Sequence, residues 1–219
     1  MIPTRARAGY LEVTLASLTP QTATAGAEVI VVSDGPDQAT ATTAVRHGAH
    51  LVSLPAPRCL NAARNAGVAA ARAELIVLVD DDITASPGWL AAILAGARAA
   101  PDRDVFGGPI RARLEGGGPR ACGREPAPIT TLDLGPVDRD CEFLWGANMA
   151  IRARALERVG GFDEALSGRG DEEEWERRYA AAGGRLRYLA AAGIEHRRTA
   201  ADATVQALSR AAYALGRSA

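Results

Sequence analysis

The 219-residue chain contains no lysine: all 25 of its basic residues are arginine. That absence excludes a Schiff-base lysine, a lysine general base and the lysine of a Walker-type phosphate loop. Contacts to phosphate must come from arginine, from backbone amides or through a metal. Cysteine is scarce. Cys59, Cys122 and Cys141 are odd in number and lack the spacing of a metal site, so they read as free thiols in a reducing compartment. An excess of one charge is missing as well. The formal net charge is −1, which gives no general attraction to nucleic acid. No apolar run reaches the length of a membrane span, and no charged-then-apolar leader is visible. The expectation is a cytoplasmic protein, with contact to a membrane surface left open.

What the chain does have is core material. Hydrophobic residues make up 47% of it, enough for one α/β domain with an appended helix. Its most informative stretch is Leu75-Ile76-Val77-Leu78-Val79 running straight into Asp80-Asp81-Asp82. A short, continuous aliphatic run reads as a strand buried on both faces of a parallel sheet. Ligands of open α/β sheets bind just beyond the carboxyl ends of the strands. Three adjacent carboxylates repel one another, and hard oxygen ligands suit Mg²⁺ or Mn²⁺. A divalent ion there would relieve the repulsion and could hold a diphosphate. A solvated acidic turn is the plainer alternative.

Before this run, Met1 to Thr4 reads as a short strand and Arg5-Ala6-Arg7 follows it. Tyr10, Leu11, Leu15 and Leu18 predict a helix ending near Pro20. Residues 28–32 and 50–54 predict strands, the first ending in Ser33-Asp34-Gly35-Pro36. Residues 37–46 and 59–72 predict helices, the second carrying Arg64 and Asn65. Ser86-Pro87 predicts a helix start. Alternating strands and helices at this spacing imply βαβ units. After residue 100 the expected strands are 105–110, 142–148, 186–189 and 193–195, with helices at 153–159, from 171 to near 183, and at 202–216. Residues 116–136 form a long Gly-, Pro- and Arg-rich loop, a length usually tied to function or disorder.

Two further groups could carry chemistry. Asp171-Glu172-Glu173-Glu174 opens a helix, where acids offset the helix dipole. Four in a row exceed what capping needs, and a carboxylate there could serve as a general base. His196 follows a short strand and precedes two arginines; beside a metal at Asp80–Asp82 its imidazole is a competent ligand.

With these residues in hand, the chain resembles the family 2 glycosyltransferases over nearly its whole length, residues 3–198. Pro3-Thr4-Arg5 is similar to that family's opening strand-end motif. Ser33-Asp34-Gly35-Pro36 resembles its Asp-Asp-Gly-Ser turn, and Ala63-Arg64-Asn65-Ala66-Gly67 its Ala-Arg-Asn-x-Gly helix. Asp80-Asp81-Asp82 resembles its Asp-x-Asp metal motif. Gly146-Ala147-Asn148 and Gly160-Gly161-Phe162-Asp163-Glu164 resemble its Gly-x-Asn segment and its Gly-Gly-Phe-Asp-Glu turn.

The resemblance implies an α/β fold of the GT-A, Rossmann-like type: a mixed, mainly parallel sheet flanked by helices in one domain. Residues 1–100 would form the nucleotide half, 101–199 the acceptor and catalytic half, and 200–219 a C-terminal helix. It implies an enzyme that moves a hexosyl-type sugar from a nucleotide-diphosphate sugar to an acceptor hydroxyl on a glycan, a lipid-linked sugar or a small metabolite. Pro3, Thr4, Arg5, Asp34, Arg64, Asp80 and Asp81 would bind the donor. Asp82, with His196, would hold Mg²⁺ or Mn²⁺. Trp145, Gly146, Ala147 and Asn148 would meet the acceptor, near the 116–136 loop and the last helix. That last helix equally suits packing on the body, dimerisation or a membrane surface.

Two departures stand out. The family's base motif is usually Glu-Asp-x-Glu/Asp-Leu, whereas here it reads Asp171-Glu172-Glu173-Glu174-Trp175. Placing Trp175 on the leucine puts Glu172 at the base, with Asp171 as the alternative. The first strand is also unusually short. Asp80-Asp81-Asp82-Ile83-Thr84 also fits the nucleophile motif of haloacid-dehalogenase phosphatases, but that family uses a downstream lysine and opens with this motif. A non-catalytic nucleotide-sugar-binding protein of the same fold is the other alternative.

Overall fold

The structure is a computed structural model and describes residues 1–117, 129–166 and 171–216. In chain order the strands are β1 (Ile2–Thr4), β2 (Ile30–Ser33), β3 (His50–Ser53), β4 (Leu75–Val79), β5 (Ile83–Ala85), β6 (Val105–Gly107), β7 (Ile110–Leu114), β8 (Arg139–Cys141), β9 (Asn148–Arg152), β10 (Leu186–Tyr188) and β11 (Ile194–Arg198). The helices are α1 (Ala8–Ala25), α2 (Gln38–Arg46), α3 (Leu60–Ala70), α4 (Trp89–Ala99), α5 (Ala153–Val159), α6 (Asp171–Ala181) and α7 (Val205–Gly216).

The first half keeps the parallel arrangement expected of βαβ units: β1, β2 and β3 pair parallel in that order. β4 lies against β1. Met1 N donates to Val77 O at 2.5 Å and Val79 N to Met1 O at 3.2 Å, the bonding pattern of a parallel pair. The second half is mixed. β4 pairs antiparallel with β9, and the sheet continues β9-β6-β10-β8. A third, small sheet orders β5-β11-β7. The core fills the space between these sheets and the helices, with Trp175, Tyr179, Tyr188 and Phe106 fully buried. Trp175 stacks on Tyr179 at 5.4 Å.

Several sequence expectations shift. α1 does not stop near Pro20 but runs through it to Gly26, whose φ of 63° closes the helix. Tertiary contacts hold the extra turn. Gln21 beyond the proline donates to Ser86 O at 3.2 Å and accepts from Leu90 N at 3.1 Å. Ser86-Pro87 forms a turn rather than a helix start: Trp89 N bonds Ser86 O, and Gly88, at φ 79°, is the cap. The 105–110 strand is two strands bent at Gly108-Pro109, where a side chain at Gly108 would strike Ala192 O at 2.2 Å. Residues 142–147 form a loop, and the strand, β9, begins only at Asn148. The 193–195 strand is longer, because parallel pairing with β7 carries it through Arg198. The 202–216 helix starts at Val205; the side chains of Ala212 and Leu215 in its apolar stripe, residues 118–128 of the long loop with Cys122, and Ser167-Gly168-Arg169-Gly170 lie outside the described residues.

Asn148 ties β9 to α4 and to the loop between β10 and β11. Buried at the start of β9, its Oδ1 accepts from Trp89 Nε1 at 2.9 Å and its Nδ2 donates to Ala192 O at 2.8 Å. Asn148→Ala strands a buried indole N–H and a carbonyl, which should cost about 2–3 kcal/mol. A urea-denaturation series checks this; a change within about 0.5 kcal/mol, the range of an ordinary surface substitution, would show that the bridge is dispensable.

Candidate active site

The carboxyl ends of β1, β2 and β4 open onto one cleft of about 430 Å³. Pro3, Thr4, Arg5, Asp34, Asp80, Asp81, Asp82 and His196 all line it, so most of the sequence-selected donor and metal residues meet in one place. β11 brings His196 there by register, because antiparallel pairing with β5 sets it opposite Ile83, next to Asp82. The bond from Arg197 N to Asp82 O, 2.8 Å, fixes that alignment.

Buried carboxylates need compensation. Asp81 Oδ2 accepts from the Thr4 hydroxyl at 2.6 Å and its Oδ1 from Arg7 at 2.7 Å. Asp82 Oδ2 accepts from Arg7 at 2.8 Å and from Arg198 at 2.5 Å. His196 Nε2 stands 2.9 Å from Asp82 Oδ1, but off the hydrogen-bonding direction, so this buried oxygen has no hydrogen-bond partner among the described residues. Burial, reinforced by the Asp82 charge, pushes the Asp80 carboxyl up. Burial also lifts Asp81 to about 6 against the pull of Arg7 and Thr4. For Asp82, burial is outweighed by His196, Arg7 and Arg198, which together hold it below the carboxylate range. His196 goes up: burial opposes its charge, and the neighbouring Asp82 overrides it.

One ligand atom each from Asp80, Asp82 and His196 lies within 4.8 Å of the others. Two carboxylates, one of them with a buried oxygen that lacks a hydrogen-bond partner among the described residues, and an imidazole form a donor set that fits a divalent cation.

Asp34 sits at the cleft's far side, its Oδ1 accepting from Arg58 N at 2.7 Å and its Oδ2 3.9 Å from Arg5. Arg64 does not line the cleft. It is buried behind it, donating to Asn61 at 3.1 Å, lying over the Phe162 ring and reaching within 3.6 Å of Glu172. Gly146 N donates to Glu172 Oε1 at 3.3 Å, and a side chain at Gly146 would strike Arg64 at 2.5 Å. Trp145 is half-buried with its indole N–H on Thr131 O at 3.2 Å, next to Thr130 of the cleft wall. Ala147 is buried, and the Asn148 amide bonds Trp89 of α4 and the Ala192 carbonyl. Asp171 opens α6, and its side chain lies outside the described residues.

Sequence reasoning missed three residues that shape this site. Arg7 bridges Asp81 and Asp82; its signal was the Arg5-Ala6-Arg7 run after β1, with Ala6 in the left-handed region at φ 52°. Such a φ costs a residue with a side chain about 1–2 kcal/mol. Thr14, a lone polar residue on the buried face of α1, accepts from Ile83 N at 3.1 Å and contacts Asp81 O and Ile83 O, which pins the acidic turn. Glu176, one helical turn beyond Glu172, had no signal outside its place beside the acidic cluster. Burial pushes its carboxyl up to about 8, against the Leu144 N–H it accepts.

Comparison with known proteins follows the same lines. The family described as glycosyl transferase family 2 matches residues 1–160. The pre-mycofactocin glycosyltransferase of Mycobacterium tuberculosis is 31% identical over 205 residues, covering 90% of this chain. The chain spans 42% of that relative's length. Among solved structures, the mannosyltransferase PcManGT from Pyrobaculum calidifontis in complex with GDP-Man and Mn²⁺ aligns with a TM-score of 0.66 at 19% identity, over 89% of this chain and 55% of the other. GalNAc-T7 with UDP, GalNAc and Mn²⁺ aligns at 0.71 with 15% identity, over 97% and 46%. S. aureus TarS aligns at 0.64 with 20% identity, over 90% and 59%. At these identities the structural likeness speaks for the fold, the GT-A glycosyltransferase architecture.

The Glu176 shift sets a pH dependence of stability. Its folded value of about 8 lies above the ordinary 4.5, so the folded state holds the proton more tightly. That contribution is complete below about 4.5 and is lost as pH rises to about 8. Glu176→Gln should therefore leave Tm little changed near pH 5 and raise it relative to the parent near pH 8. Thermal melts across that range check it; parallel curves for the two proteins would contradict it.

Proposed function

The chain belongs to glycosyl transferase family 2, and on that premise we propose that it is a glycosyltransferase that moves a sugar from a nucleotide-diphosphate donor to an acceptor hydroxyl with inversion, assisted by a divalent cation. The observation that carries the reading is the convergence of Asp80, Asp82 and His196 at the mouth of the β1-β2-β4 cleft. The imidazole donor favours Mn²⁺ over Mg²⁺, and the Mn²⁺ in two of the similar structures supports the same choice. Their GDP-Man and UDP support a nucleotide-diphosphate sugar as donor.

When bound, the cation would supply Lewis-acid neutralisation of the charge that develops on the departing diphosphate. The chain's own residues do the rest. Asp34 and Arg5 face the end of the cleft suited to the nucleotide base, and Pro3 and Thr4 form its wall. Asp81 stays fixed by Thr4 and Arg7 and orients the ribose side. Glu172 takes the proton from the acceptor hydroxyl as that oxygen attacks the anomeric carbon, and the bond to the diphosphate breaks on the opposite face. One base and one displacement give inversion, as with the water-activating carboxylate of inverting glycosidases. Asp171 is the alternative base. Arg64, within 3.6 Å of Glu172, supports that carboxylate from behind the cleft. Trp145 and Gly146 border the acceptor; Ala147 and Asn148 brace them from behind.

Residues 1–100 form the donor half and 101–199 the acceptor half of this proposal, with 200–219 as a C-terminal helix. Asp202, just before that helix, is bonded to Tyr10 at 2.5 Å, which supports packing on the body over a detached role. No described helix is long and apolar enough to cross a membrane. The free thiols Cys59 and Cys141 support a reducing, cytoplasmic setting.

A thermal-shift panel of nucleoside diphosphates with and without Mn²⁺ tests the donor and metal roles together. The matching nucleotide should raise Tm only with the metal, and Asp82→Asn should abolish the rise while the protein stays folded. A metal-independent shift, or full binding by Asp82→Asn, overturns the metal assignment. For the base, Glu172→Gln should keep nucleotide binding and cut transfer about 10²–10⁴-fold. Normal turnover in that variant with loss in Asp171→Asn would move the base by one residue.

A further inference from the structure

Two carboxylates on successive turns of α6 hold two amides of the loop between β8 and β9. Glu172 accepts from Gly146 N at 3.3 Å, and Glu176 accepts from Leu144 N at 2.9 Å. Residues four apart lie on one helix face, and the amides they hold are two apart along the loop. Between them Trp145 extends to Thr131 O and meets the edge of the Phe143 ring at 5.5 Å. Thr130, adjacent to Thr131, lines the donor cleft, and its carbonyl lies 3.3 Å from His196 Nδ1. Residues 143–146 thus lie between α6 and the 130–131 segment that borders the donor cleft.

Glu176 is 3% exposed and Leu144 fully buried. An isolated acid in such a place is costly, and an apolar side chain would pack there with less penalty. The described contact that gives the acid a use is the Leu144 amide. With the carboxyl raised to about 8, Glu176 is neutral at physiological pH and its carbonyl oxygen still accepts that bond.

We propose that Glu176 is a positioning residue of the transfer reaction: by holding the Leu144 amide it fixes the 143–146 loop, and through Gly146 it fixes the carboxylate of Glu172. This rests on the reading of Glu172 as base, but its test does not. The test is amide hydrogen exchange followed by NMR on the full chain. Glu176→Met removes the acceptor at similar side-chain length; Glu176→Gln keeps an acceptor oxygen. In Glu176→Met the Gly146 amide should exchange at least about 10-fold faster while Met149 and Ala150 in β9 keep their protection. In Glu176→Gln the Gly146 amide should behave as in the parent. Unchanged Gly146 exchange in the methionine variant, or a glutamine variant as loose as the methionine one, overturns the proposal. Should the methionine variant not fold, the parent protein decides: a Leu144 amide protected as well as the β9 amides supports the clamp, and one that exchanges like an exposed loop amide overturns it. A firm clamp together with a fully active Glu172→Gln would remove Glu172 as base and leave the positioning of the loop intact.

Discussion

Three carboxylates crowded at the end of one buried strand set the terms for the rest of the molecule. They cannot stay charged together out of water unless cations reach them, because like charges and desolvation both penalise ionisation. The chain supplies those cations from two distant places. Arg7 arrives from the turn after β1, and His196 and Arg198 arrive from β11. β11 can deliver them only because it pairs with β5, the strand that follows the aspartates. The small third sheet is therefore a device for bringing the chain's end back to the acidic turn. Asp82 carries most of this compensation and is held ionised, while Asp80 and Asp81 bear the cost of burial as raised values. Two guanidinium groups on Asp82 occupy the region where a cation and a diphosphate would share charge.

A second constraint joins α3 to α6. Asn61 and Asn65 on α3 hold the carbonyls of Asp163 and Phe162, each at 2.8 Å, and the Phe162 amide returns to Asn65 at 2.9 Å. On the other side of that turn, Trp175 in α6 donates to Gly160 O at 2.8 Å, and Arg178 reaches the Val159 and Gly161 carbonyls. The 159–164 turn is thus gripped from both sides, which sets the distance between the acidic cleft and Glu172. Arg64, buried under Gly146, fills the gap between them.

Local patterns made the first hundred residues legible. Uninterrupted aliphatic runs marked β2 and β4, and α5 ran over the residues its sequence predicted because a glycine at φ 83° stops it. The acidic triplet and His196 were each readable as candidates, and motif order joined them. Elsewhere, long-range contacts decided. Pro20 lies inside α1 because Gln21 is anchored on the neighbouring 86–90 turn. The bend at Gly108 depends on a carbonyl some eighty residues later. Arg7, Thr14 and Glu176 were hidden for a similar reason: each acts on a group far from it in sequence. Asn148, which the motif points toward the acceptor, shows the same long reach: its amide bonds Trp89 of α4 and the Ala192 carbonyl of the β10–β11 loop.

The central claim is that the acidic turn, with its arginine and histidine partners, is a cation and diphosphate site. Anomalous diffraction from crystals grown with Mn²⁺ and the nucleoside diphosphate that stabilises the protein tests it most directly. The account predicts one strong anomalous peak in contact with Asp82 and His196, with Arg7 and Arg198 drawn from Asp82 toward the phosphates. A nucleotide bound in the cleft with no metal at Asp82, and both arginines still on that carboxylate, would contradict it.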